Sequence, residues 1–174
     1  MKLLDLQLEV GRQLRSLPYD TYLKVIYALL EQYRVIYREA LWPDAEALLR
    51  ATTYLLRGGG DLEAGDVLAR WLALEEDEPA GMDGGLLNLF HLGEFVSGEL
   101  AGQYPHYAAV DAAELPISNH VAVHPLTLLD SAEWPGHPGA WLLRFLQDVA
   151  GLDDGKQTRI AAAPFDEAGQ IIFG

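Results

Sequence analysis

The chain has 174 residues, half of them apolar, with 26 Asp/Glu against 12 Lys/Arg, a net charge of -14 and no cysteine. That length and apolar content suit one domain over residues 1–174 with a full core. Lack of cysteine excludes disulfides, thiolate metal sites and cysteine nucleophiles, and the negative charge argues against phosphate backbones and anionic lipid as partners.

The opening segment, MKLLDLQLEV, fits two periods. Leu4, Leu6, Leu8 and Val10 alternate as in a strand, while Leu3, Leu6, Val10, Leu14 and Leu17 form a helical stripe. Good helix formers in between favour a helix over about 3–16. Asp5 and Glu9 interrupt the apolar run a signal peptide needs, and no stretch approaches the roughly 20 apolar residues of a membrane span. A soluble, cytoplasmic protein is expected.

Ser16 and Pro18 punctuate the start of a second helix, about 19–41. Tyr22, Ile26, Leu29, Leu30, Tyr33 and Tyr37 line its core face, with Tyr19 and Tyr27 projecting elsewhere. Trp42-Pro43-Asp44 breaks it and opens a third helix near 44–57, carrying Leu48, Leu49, Thr52, Leu55 and Leu56. Gly58-Gly59-Gly60 ends that helix. Asp61 is placed to cap a fourth, with Val67, Leu68, Trp71, Leu72 and Leu74 inward. Asp77 to Gly85 reads as a loop.

A fifth helix over about 85–101 carries Leu86, Leu89, Phe90, Val96 and Leu100, and Gly93, Gly98 and Gly102 weaken it while permitting close packing. Pro105, Pro116, Pro125 and Pro135 cut residues 103–136 into irregular pieces, with single helical turns near 108–114 and 126–132. A last helix near 138–150 presents Trp141, Leu142, Phe145, Leu146 and Val149. The tail, Ile160–Ala163 and Ile171–Phe173 around a turn at Asp166–Gly169, suggests a small β-hairpin packed on the helices. The expected fold is thus mainly α: a compact bundle of about six helices, an irregular segment near 103–136 and a C-terminal hairpin.

Charge is unevenly distributed. Residues 1–70 hold nine Lys/Arg and ten Asp/Glu, residues 71–143 eleven Asp/Glu and no Lys or Arg, and residues 144–174 three basic and five acidic residues. All five histidines lie in the middle zone. Its carboxylates must face solvent, pair with cations of the first 70 residues, or meet a basic partner, because burying them unpaired is costly. The densest cluster is Glu75, Glu76, Asp77 and Glu78, followed by Asp83. These, with Tyr104 and His106, are the expected contact residues for a basic protein partner. In size and charge the chain is similar to bacterial immunity proteins, which neutralise basic toxins. This similarity implies a binding module, not an enzyme, and assigns no residue.

A metal site or hydrolase is the alternative. His120 and His124 share the spacing of ligands on one helical face, with His106, His137, Glu114 or Asp130 as further donors. However, the pattern is His-Val-Ala-Val-His, Val121 and Val123 suit extended chain, and Pro125 disfavours helix at His124. On a strand the two rings would lie about 13 Å apart. No Gly-x-Ser-x-Gly elbow surrounds Ser97, Ser118 or Ser131. Gly58–Asp61 lacks the Lys-Ser/Thr of a phosphate loop, and Met82–Gly85 lacks a calcium ladder. Glu94 and Glu99 would need a cleft to act as an acid–base pair. No catalytic residue, metal or cofactor is expected. A homodimer seamed by the tyrosine-rich second helix is the third reading.

Overall fold

The computed structural model describes residues 3–59, 61–76, 84–110, 112, 147–149, 151–157, 159–165 and 171–173. Five helices lead: α1 (Leu3–Ser16), α2 (Tyr19–Ile36), α3 (Pro43–Leu56), α4 (Ala64–Glu76) and α5 (Gly84–Leu100). The structure is compact and mainly helical. A short α6 (Asp154–Gln157), absent from the sequence reading, follows; the Asp153 carboxylate caps it by accepting the Lys156 N–H at 2.8 Å. Two short extended segments, β1 (Ile160–Phe165) and β2 (Ile171–Phe173), lie antiparallel. Residues 166–170, which would close a hairpin between them, lie outside the described residues. So do 113–146 with the expected turn near 126–132, and most of the expected helix at 138–150, of which 147–149 are helical; at the turn expected near 108–114, residues 109, 110 and 112 are helical.

Helix α1 settles its two competing periods. Val10, Leu14 and Leu17 are buried, whereas Leu8 is 60% exposed. A strand would have put Leu8 and Val10 on one face; a helix separates them by 200°. Helix α2 ends at Ile36, earlier than the expected 41, and residues 37–40 form a turn. It is also more deeply embedded than its pattern suggested. Val25, Ile26, Tyr27, Ala28, Leu29 and Leu30 are all buried, which makes α2 a central helix, apolar around most of its circumference. Tyr27, expected to project away from the core, is 8% exposed because neighbours cover both sides of this helix.

Helix ends follow backbone chemistry. Gly58 (φ +85°) and Gly102 (φ +71°) take the left-handed conformation after α3 and α5. At each, two N–H groups fold back on the last turn: Gly59 to Tyr54 O and Gly58 to Leu55 O, then Gln103 to Gly98 O and Gly102 to Glu99 O. Gly102 therefore terminates α5 and does not weaken its interior. Asp61 is not at the α4 cap. The helix begins at Ala64, and Asp61 instead accepts the Tyr54 hydroxyl at 2.8 Å.

One buried cluster draws on all five long helices, from Val10 and Leu14 through Ile26, Leu29, Leu49 and Trp71 to Phe90 and Val96. Trp71 and Trp42 both meet the Phe90 ring, at 5.6 and 5.4 Å. The Trp71 indole N–H donates to Thr52 Oγ at 2.9 Å, and Thr52 donates to Leu48 O at 2.9 Å. Thr52→Val orphans a buried N–H while keeping the side-chain volume. We expect it to cost about 1–3 kcal/mol in thermal or denaturant unfolding, with Thr52→Ser recovering the polar part of the loss.

Helices α4 and α5 run antiparallel. A Cβ at Gly93 would fall 2.3 Å from the Trp71 ring, and one at Gly65 would lie 3.9 Å from the Gln103 side chain. The start of α4 thus meets the end of α5, and the acidic end of α4 lies toward the start of α5.

Candidate functional site

The densest chemistry among the described residues surrounds a carboxylate that should be costly to bury. Glu99 is 3% exposed. Its Oε1 accepts the Tyr22 hydroxyl at 2.7 Å and the Ala109 N–H at 2.6 Å, and its Oε2 accepts the Tyr19 hydroxyl at 3.0 Å. Three elements converge there: the first turn of α2 supplies both phenols, the last turn of α5 the carboxylate, and the segment after α5 the N–H.

The segment 104–110 is held down at further points. Tyr107 sits at φ +66°, a conformation sparsely populated by side-chain-bearing residues, and its hydroxyl donates to Leu17 O at 2.6 Å. Its ring lies 4.7 Å from Tyr22 and 5.6 Å from Tyr19. His106 stacks face to face on Tyr19, 3.8 Å between centroids and 7° from parallel. Tyr104 donates to Glu94 at 2.9 Å, and its ring lies so close to Gly98 that a Cβ there would fall 2.2 Å away. The strained Tyr107 backbone is sustained by these anchors.

Electrostatics define what this cluster can do. Burial pushes the Tyr22 and Tyr19 hydroxyls far above the ordinary phenol range, and the adjacent Glu99 charge adds to the effect. Both therefore remain protonated donors. With both carboxylate oxygens engaged and almost no exposure, the arrangement serves as a clasp fastening residues 104–110 to the α1–α2 corner. An acid–base role for Glu94 with Glu99 would require an accessible carboxylate, and here Glu94 is held by Tyr104 and Glu99 by Tyr19 and Tyr22. Glu94 and Glu99 also add a solution that the charge pattern did not suggest: middle-zone acids can be buried against neutral phenols, with neither cation nor solvent.

Of the expected contact residues, Tyr104 is half-buried and His106 exposed, both in this clasp. Glu75 and Glu76 close the last turn of α4. Asp77, Glu78 and Asp83 lie outside the described residues. Because α4 and α5 are antiparallel, the Glu75–Glu76 end and the Tyr104–His106 end stand at opposite ends of the pair, roughly 20 Å apart along a 13-residue helix. They are two separate surfaces.

Arg12, Arg34, Arg38 and Arg50 all have partners within the near-neutral first zone. Arg12 pairs with Glu9, Arg34 with Glu31 (2.8 Å) and Glu46 (2.9 Å), Arg50 with Glu46 (3.0 Å) and Arg38 with Glu39 (3.9 Å). Arg57 lies 6.0 Å over the Tyr27 ring. Arg12, Arg34 and Arg50 thus hold short ion pairs within their own zone, whereas the Arg38 contact is long and exposed.

Of the candidate metal ligands, His106 is in the clasp, and His120, His124, His137, Glu114 and Asp130 lie outside the described residues. Among the described residues no three His, Asp or Glu are gathered for a metal ion. Ser97 is fully buried and its hydroxyl has no hydrogen-bond partner there. Ser118 and Ser131 lie outside them. Among the described residues no helix is long and apolar enough to cross a membrane.

No protein-family model, no curated protein and no solved structure matches the chain.

Proposed function

We propose that this chain is an acidic protein-binding module for a basic protein partner, with an immunity-type inhibitor of a basic toxin or effector as its most specific form and the cytoplasm as its compartment. One observation carries the reading: four arginines of the first zone are paired within that zone. Arg12, Arg34 and Arg50 are held by short ion pairs, and Arg38 by a longer one at 3.9 Å. Two of the eleven acids of residues 71–143, Glu94 and Glu99, are bonded to tyrosines and not to any cation.

The contact surface in this reading is the end of α4, Glu75 and Glu76, continuing into Asp77, Glu78 and Asp83. Acids at a helix C-terminus oppose the macrodipole, so the cluster gains nothing from the dipole of α4. Tyr104 and His106 form a second, separate surface. The C-terminal hairpin belongs with this proposal as architecture, supported by the position of β1 against α2.

The test is a comparison of wild type with the triple variant Glu75→Lys, Glu76→Lys, Glu78→Lys as baits in lysate of the native host. Wild type is expected to retain a basic protein that the variant loses. The association rate constant should fall about tenfold or more in the variant, with dissociation little changed. Identical capture by both baits, or an association rate indifferent to salt, would sink the reading.

A further inference from the structure

We draw no further inference here: the strongest candidate, the groove between α2 and α3 lined by Tyr27, Arg34, Arg50, Tyr54 and Arg57, has Arg34 matched by Glu31 and Glu46, Arg50 by Glu46 and Arg57 set over the Tyr27 ring, and nothing in the structure shows what would occupy it.

Discussion

Glu99→Ala is expected to be among the most destabilising single substitutions in the protein, costing about 3–5 kcal/mol. It removes the acceptor shared by the Tyr19 hydroxyl, the Tyr22 hydroxyl and the Ala109 N–H. Each orphaned buried donor costs about 1–3 kcal/mol, partly relieved where water can enter the vacated space. At this chain length such a loss lowers the melting temperature by roughly 10 °C or more. Glu99→Gln retains one acceptor oxygen but turns an NH2 group toward a donor, so it should lose about half as much. Because the clasp fastens residues 104–110, amide hydrogen exchange in that segment should rise first. If Glu99→Ala unfolds with wild-type stability, the clasp contributes nothing.

The same cluster sets a pH dependence. Tyr19 and Tyr22 have folded pKa values raised above the ordinary 10.0, by burial first and by Glu99 second. A group with a raised folded pKa contributes stability that is fully present below its unfolded pKa and is lost as pH rises toward the folded value. Stability should therefore hold up to about pH 10 and fall above it, because the unfolded phenols release protons that the folded ones retain. Tyr22→Phe should flatten part of that alkaline loss. An equally steep loss in Tyr19→Phe/Tyr22→Phe would contradict the assignment.

The second large effect concerns a glycine. Gly93→Ala should destabilise by about 2 kcal/mol, although alanine is the better helix former by up to about 1 kcal/mol. The new methyl would fall 2.3 Å from the Trp71 ring. That ring cannot yield easily: Trp71 is fully buried, tied to Thr52 through its indole N–H and packed on Phe90. Helices α4 and α5 must separate instead. Two other glycines calibrate the effect. At Gly98 the neighbour is half-buried Tyr104, which has a path outward, so Gly98→Ala should cost less. At Gly65 the nearest atom is 3.9 Å away, and Gly65→Ala should be neutral or stabilising. Denaturant midpoints for the three variants test the order; a stabilised Gly93→Ala would mean that α4 and α5 are not in close contact there.

The five helices α1 to α5 were legible in the sequence because their signals are local, although α2 ends at Ile36 rather than 41 and α4 starts at Ala64, past Asp61. An apolar stripe repeats within a few residues, Pro43 marks the first turn of α3, and Gly58 ends it by a conformation that other residues take only at a cost. The charge zones were equally plain, since they need only counting. What local pattern misjudged was environment. Tyr27 was placed outward because one helical stripe was assumed, whereas α2 is covered on more than one side. Gly102 was grouped with Gly93 and Gly98, although it caps a helix while they admit aromatic rings.

By itself, then, the sequence determined a helical chain with five leading helices and one strongly acidic zone, because these depend on residues within a turn or two of one another. Only the tertiary structure decided which charged groups are buried and which remain available. Glu99 is satisfied by phenols 77 and 80 positions away, and Arg34 finds Glu46 twelve positions on, in another helix. A carboxylate's burial depends on the donors that surround it in space, and helix packing, not neighbouring sequence, brings those donors together.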